Sequence, residues 1–210
     1  KVVSSDPTFK KFWLLHSIEE PTIEGNRFIV RRTKNGDTGM LQNHVLLPEA
    51  GNAQIEKVGG KGKEFWVFGT NYPNDALPNR PDDANERGAW RVEVSPAAPA
   101  TEDCFLNVMQ VADNTCKRMH DVKRIDAEKV VGVQIADRVV TFSRDSQPLS
   151  GKVDMKVDGN AAMKFVITDL IPGTWQIKKD GKVYIPAMEV RSDDGILSFE
   201  GTAGHYEFLR

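Results

Sequence analysis

The sequence has little of what would point directly to a compartment, a membrane or a nucleic acid. Cys104 and Cys116 are its only cysteines among 210 residues, and their spacing is compatible either with a disulfide or with two separate thiols. No apolar run approaches the ~20 residues that span a bilayer. The formal net charge is −2, so no global field attracts nucleic acid or a membrane surface. We therefore expect neither nucleic acid nor membrane as a partner.

Motifs of common enzyme chemistries are missing too. The chain has no Gly-x-Ser-x-Gly elbow and no cysteine with an evident histidine partner. The glycine-rich residues 59–63 lack the Gly-Lys-Ser/Thr ending of a phosphate loop, which favours a solvated loop. Cys116, His120 and Asp121 form the one local cluster of possible metal ligands, at a spacing that fits no common zinc signature. We predict no catalytic residue, no metal and no cofactor in this chain.

What the sequence does contain is a succession of strand patterns. Hydrophobic residues make up 40% and charged residues 28%, as in ordinary globular proteins. Apolar residues alternate with polar ones, or run together between turn residues, as β-strands require. These patterns lie at residues 12–18, 22–30 (around a Gly-Asn turn), 40–47, 90–94, 105–111 and 130–142. No segment sustains a helical period over three turns, and residues 114–123 are the least unfavourable helix candidate.

The strands become shorter and more regular after the polar residues 143–151, which have the composition of a linker. Asp180-Gly181 and Asp194-Gly195 are typical of the type I′ turns that join hairpin strands. We predict an all-β protein in which an antiparallel β-sandwich over residues 1–147 precedes a small C-terminal β domain over residues 148–210. Residues 71–83 contain three prolines and no period, which predicts a functional or mobile loop.

Several stretches resemble segments of heparinase II/III-like polysaccharide lyases. The first, FKKFWLLHS at residues 9–17 with EPTIEGN at 20–26, resembles part of the β-sandwich that follows the catalytic helical toroid of those enzymes. Residues 39–48 are similar to the next strand of that sandwich. TDLIPGTW at 168–175, LSFEG at 197–201 and GHY at 204–206 resemble the small C-terminal domain of heparinase II-like proteins. The resemblance implies a lyase supersandwich-like fold for the larger part of the chain.

It also implies a non-catalytic role. Such lyases remove the C5 proton of a uronic acid and eliminate the 4-linked sugar, which requires a converging base, acid and carboxylate-neutralising group. In the family these residues, and a His-x-His zinc site, lie in the toroid and the first part of the sandwich. This chain has no His-x-His. The resemblance therefore implies an N-terminal catalytic toroid domain of the same native chain as the partner, and a periplasmic or secreted setting. From the residues themselves, the start Lys-Val-Val-Ser-Ser without an initiator Met is expected to be an expression or processing boundary.

Five residues are candidates for contact with an acidic polysaccharide: His16, Arg31, Arg32, Tyr72 and Arg80. The alternation of residues 12–16 predicts that His16 is buried with Phe12 and Leu14, either as a satisfied core histidine or near the substrate cleft. Arg side chains match sulfate and carboxylate geometry, and the loop from Tyr72 to Arg80 would form a rim beside them. The alternatives are a solvated basic face, a free-standing carbohydrate-binding module for acidic glycans, and an adhesion β-sandwich.

Overall fold

Every regular element in the described part of the chain is a β-strand. The computed structural model describes residues 1–72 and 88–210, and these form two compact units, Lys1–Met119 and His120–Arg210. The predicted all-β fold class is confirmed. Within these residues there is no helix long and apolar enough to cross a membrane.

The first unit contains eleven strands in its described residues. They are β1 (Val2–Val3), β2 (Trp13–Ser17), β3 (Thr22–Glu24), β4 (Arg27–Lys34), β5 (Asp37–Leu47), β6 (Ala53–Gly59), β7 (Trp66–Val67), β8 (Thr70–Asn71), β9 (Trp90–Pro96), β10 (Glu102–Asp103) and β11 (Leu106–Ala112). A four-stranded sheet has the order β11-β5-β4-β3, and a three-stranded sheet has the order β2-β9-β6. Two short pairs, β1-β10 and β7-β8, complete the unit.

The two larger sheets of the first unit pack face to face through a small core. Phe28 and Val45 come from the four-stranded sheet, and Val92 and Val94 from the three-stranded one; all four are fully buried. Trp13 of β2 approaches Phe28 with ring centroids 6.2 Å apart. Core residues alternate with outward-facing ones along β2 (Trp13, Leu15), β6 (Ala53, Ile55) and β9 (Val92, Val94), as the pleat of a sheet requires.

Two tight turns set the register of the four-stranded sheet. Gly25 has φ 61° in the turn between β3 and β4, so the predicted Gly-Asn hairpin is confirmed. A second hairpin was not predicted: Asn35 (φ 55°) and Gly36 (φ 91°) join β4 to β5 with both central residues at positive φ. Asn-Gly is the strongest short signal for such a turn, and it was present in the sequence.

The second unit is a sandwich of two sheets. Its strands are β12 (Val122–Asp126), β13 (Val130–Ile135), β14 (Arg138–Ser143), β15 (Val153–Val157), β16 (Met163–Ile167), β17 (Gly173–Lys179), β18 (Lys182–Val190), β19 (Leu197–Gly201) and β20 (Gly204–Leu209). One sheet has the order β12-β13-β14-β16-β19 and the other β15-β20-β17-β18. All neighbouring strands are antiparallel except β14 and β16, which run parallel.

Aromatic side chains fill the core of the second unit. Phe165 stacks on Phe199 with centroids 4.8 Å apart, and Tyr206 lies 4.7 Å from Phe165. The buried Tyr206 hydroxyl donates a hydrogen bond of 2.6 Å to the carbonyl of Thr202, and burial raises the pKa of Tyr206 to about 12. Trp175 is fully buried and donates its indole N–H to the carbonyl of Ile171 at 3.0 Å. The Tyr206 hydroxyl and the Trp175 indole N–H thus each have the hydrogen-bond partner that a buried polar group needs.

The boundary between the units lies earlier than the sequence analysis places it. Residues 143–151 are not an interdomain linker, because Leu149 is buried in the core of the second unit and its N–H bonds to the carbonyl of Asp169 at 2.6 Å. Strands β12, β13 and β14 also share a sheet with β16 and β19. The division between residues 147 and 148 would cut this sheet, so the second unit begins at His120.

The least unfavourable helix candidate is not helical, in agreement with the missing helical period. Residues 114–121 form turns and irregular backbone, and β12 begins directly after them. Asp180-Gly181 does join paired strands, β17 and β18, with both residues at positive φ. Asp194-Gly195, however, connects β18 to β19, which belong to different sheets. A dipeptide that is typical of hairpin turns therefore lies there in a connection between the two sheets of the sandwich.

The packing of Gly201 gives the first prediction. A Cβ at Gly201 would lie 2.4 Å from the Tyr206 hydroxyl and 3.2 Å from Phe165. Gly201→Ala should therefore overpack the aromatic core and lower the free energy of unfolding by about 1–3 kcal/mol, measured by denaturant titration. Gly39→Ala is the matched control, since a Cβ on this other strand glycine meets nothing within 4 Å. Equal stability of both variants would contradict the packing described for Tyr206.

Candidate functional site

A shallow groove runs along the outer edge of β2. It has a volume of about 330 Å³ and is called the edge groove below. Its lining residues are Leu15, His16, Ser17, Ile18, Glu19, Val30, Arg32, Leu41 and Gly88. The side chains from β2 and the residues after it form one wall, and those from β4 and β5 form the other. The groove therefore opens between the two packed sheets of the first unit.

His16 is not buried in the core, as the sequence analysis expected. Trp13 and Leu15 are the β2 residues that pack on the core, so Leu14 and His16 point away from it. Leu14 is 46% exposed, and His16 is exposed beside it. The period of two was correct, but the face assigned to the interior was the wrong one, because β2 carries apolar residues on both faces. His16 instead lies at the rim of the edge groove.

Arg31 and Arg32 are separated by the strand that carries them. Residues next to each other on a β-strand point to opposite faces. Arg32 lies on the face of Val30 and lines the edge groove, whereas Arg31 lies on the other face, opposite Met40 of β5. The predicted basic pair is thus not one site. Of the predicted residues, the structure brings together His16 and Arg32.

Tyr72 and Arg80 do not join this pair in the described structure. Tyr72 follows β8, is 56% exposed, and donates its backbone N–H to the carbonyl of Phe65 at 3.2 Å. It is absent from the lining of the edge groove. Arg80 and the greater part of the predicted loop, residues 73–87, lie outside the described residues. Of the two residues predicted at the rim of an acidic-sugar site, only Tyr72 therefore lies within the described residues.

A second cavity of about 330 Å³ was not predicted. It lies between residues 7–12 and the end of β9, with Glu56, Glu93 and Asp103 on its walls. Lys11 is 7% exposed there, and its ammonium group lies 3.0 Å from the Asp103 carboxylate and also donates to the carbonyl of Ala100. The buried charge is paired, as burial requires. The sequence signal was weak, because a lysine in a polar-rich stretch is ordinarily on the surface.

His44 is half-buried on β5 beside the positive charge of Arg27 on β4. Its Nε2 lies 3.0 Å from the side-chain nitrogen of Asn26. Burial lowers the pKa of His44, and the charge of Arg27 lowers that pKa further. A neutral imidazole can accept the hydrogen bond that the Asn26 amide donates, whereas an imidazolium cannot. Burial, the charge of Arg27 and the contact with Asn26 therefore all favour the neutral form of His44.

The remaining candidate groups of the sequence analysis lie apart from one another among the described residues. Across residues 1–72 and 88–210 no three or more His, Cys, Asp or Glu side chains lie close enough to hold a metal ion. Cys104 and Cys116 are both half-buried and are not joined to each other by a disulfide in this structure. The glycine-rich turn after β6 serves packing: a Cβ on Gly60 would lie 2.9 Å from the Trp90 ring, and Lys63 stands over Trp66 at 5.5 Å.

Comparison with protein families gives a match within the second unit. Residues 124–210 match the family model described as heparinase II C-terminal domain. The second unit is therefore similar to that domain over nearly its whole length. The match begins within β12, close to the start of this unit, and runs to Arg210. The expected heparinase II/III-like C-terminal region is therefore confirmed, and the chain carries a domain related to polysaccharide lyases. Comparison with curated protein sequences gives no match.

The environment of His44 predicts a pH effect on the stability of the first unit. Because the folded pKa is lowered from the ordinary 6.5, the unfolded chain binds the proton more readily, and stability should fall as pH drops below that value. The His44 ring resonances, followed by NMR, should titrate below pH 6.5. Arg27→Gln should move that midpoint upward, and His44→Gln should remove the His44 contribution to acid destabilisation. An unchanged midpoint in Arg27→Gln would contradict the assigned cause.

Proposed function

We propose that this chain is the non-catalytic C-terminal portion of a heparinase II/III-like polysaccharide lyase. Its role is structural: it braces the catalytic domain and contributes to a wall of the substrate cleft. The parent enzyme would cleave a uronic-acid-containing polysaccharide by β-elimination. The observation that carries the proposal is the heparinase II C-terminal domain at residues 124–210. The proposal further places the protein in the periplasm or outside the cell.

The chemistry of the described residues supports a non-catalytic role. β-Elimination needs a base, an acid and a group that neutralises the uronate carboxylate within reach of one sugar. His16 and Arg32 line the edge groove, but no tyrosine lines it, and its floor is formed by Leu15, Ile18, Val30 and Leu41. Tyr206 is fully buried, and Tyr184 donates its hydroxyl to the carbonyl of Glu200 at 2.9 Å. Within the first unit, the edge groove therefore presents His16 and Arg32 without a tyrosine among its lining residues.

This proposal predicts a folded chain without lyase activity. The purified chain should release no unsaturated uronate, measured by absorbance, from heparin, heparan sulfate or alginate, because the reacting groups would belong to the catalytic domain. Native polypeptide that includes the catalytic domain is the positive control. Turnover by the chain alone would overturn the proposal, provided that Arg32→Glu and His16→Ala reduce it and thereby exclude a contaminating enzyme.

A second candidate function is a carbohydrate-binding module for acidic glycans, favoured by His16 and Arg32 in one groove. In that case the guanidinium of Arg32 would pair with sulfate or carboxylate groups, an interaction that salt weakens.

The separation of the two arginines supplies a matched test of this second function. Charge reversal in Arg32→Glu should abolish retardation of the chain in a gel that contains heparin. Arg31→Glu makes the same change of charge on the opposite face of the sheet and should leave retardation intact. Equal loss in both variants would indicate attraction by overall charge, and no retardation of the unaltered chain would exclude the module.

A further inference from the structure

The cavity between residues 7–12 and the end of β9, called the acidic cavity below, has apolar walls and a polar floor. Phe9 and Phe12 belong to one wall and are 57% and 39% exposed. The facing wall is formed by residues 96–100, which are prolines and alanines. The volume of about 330 Å³ is near the lower end of the roughly 300–1,000 Å³ typical of small-ligand pockets. The acidic cavity therefore has room for one small molecule or one side chain.

Strand pairing and a buried ion pair hold the wall that residues 7–12 form. Before this segment, β1 pairs with β10, and Ser4 donates its backbone N–H to the carbonyl of Thr101 at 2.8 Å. Within it, the ammonium group of the buried Lys11 lies 3.0 Å from the Asp103 carboxylate. Because the wall is tied to the neighbouring segment at both places, the acidic cavity is preorganised, which lowers the cost of binding a ligand.

The floor of the acidic cavity carries two glutamates that oppose each other. Ile55 of β6 and Val94 of β9 pack on the core, so the residues next to them face outward. Glu56 and Glu93 line the cavity from this outer face and are direct register partners, an arrangement in which like charges destabilise a sheet. Arg91 pairs with Glu93, its Nε lying 2.6 Å from Oε1. Glu56 has no hydrogen-bond or ion-pair partner among the described residues.

One carboxylate at the acidic cavity is thus left without a compensating charge. The ion pairs of Lys11 and Arg91 account for two of the three carboxylates that line the cavity, and Glu56 is the third. Lys10 also lines the cavity, but it is exposed and makes no ion pair with a described residue. A carboxylate supplies the charge that attracts a cation, and aromatic rings attract cations through their faces. Charge and apolar walls together therefore match a cation that has an apolar body.

We propose that the acidic cavity binds an organic cation, a primary ammonium or guanidinium group carried on an apolar body. Glu56 pairs with the charge, and Phe9 and Phe12 contact the apolar body. A free amine and the lysine or arginine side chain of a peptide share this chemistry. A uronate or sulfate group, in contrast, would meet the like charge of Glu56. This site is therefore separate from the glycan contacts considered for the edge groove, and it does not depend on lyase chemistry.

Titration of the purified chain with benzylamine, followed by NMR, tests this site. Benzylammonium should shift the resonances of Phe9, Phe12 and Glu56, whereas benzyl alcohol, which has the same ring without the charge, should not bind. A tetrapeptide with one arginine is the second probe. Tighter binding of the peptide supports a protein ligand, and tighter binding of benzylamine supports a free amine. Saturable binding of neither cation at millimolar concentration, or equal binding of the alcohol, would overturn the proposal.

Three exposed residues supply the matched variants, and none of these changes should alter the Tm of the chain. Glu56→Gln should weaken benzylammonium binding by about tenfold, because the ion-pair partner of the ligand is lost. Glu24→Gln makes the same change of net charge on β3, outside the cavity, and should leave the affinity unchanged. Lys10→Gln removes a competing positive charge and should tighten binding. Equal weakening in both glutamate variants, or weaker binding in Lys10→Gln, would overturn the assignment of the charge to Glu56.

Discussion

The constraint on which this structure depends is that each β-sheet must bury one face, while successive residues of a strand point to opposite faces. This alternation assigns every side chain on a strand either to a core or to a surface. It places Arg32 in the edge groove and removes Arg31 to the other side of the same sheet. It also turns His16 outward, because Trp13 and Leu15 occupy the core side of β2. The packing of the sheets thus decides which side chains line the candidate site.

The two units satisfy this constraint to different degrees. In the second unit both sheets contribute to a continuous core, with Trp175 and Tyr206 fully buried and their polar tips hydrogen-bonded. The core of the first unit is smaller, and the inner face of β11 stays exposed at Met109 and Val111.

Local sequence signals were reliable where a few neighbouring residues decide the backbone. The strand patterns at residues 90–94 and 105–111 predicted β9 and β11, and Gly25-Asn26 and Asp180-Gly181 predicted hairpins that are present. The signals were unreliable where segments distant in sequence decide which sheet a strand joins. The polar residues 143–151 have the composition of a linker, but Leu149 is buried and Asp169 holds the segment in the second unit. Composition reports solvent preference, and it does not report which sheet a strand will join.

The sequence by itself determined the all-β class, the strand periods, the tight turns and the resemblance to heparinase II-type C-terminal domains, because each depends on residues close together in the chain. Only the tertiary structure decided which face of β2 is buried, where the second unit begins, and that His16 and Arg32 share a groove while Arg31 does not. A strand with apolar residues on both faces carries no local preference for one of them. That choice is made by the sheet that packs against it, whose residues are distant in sequence.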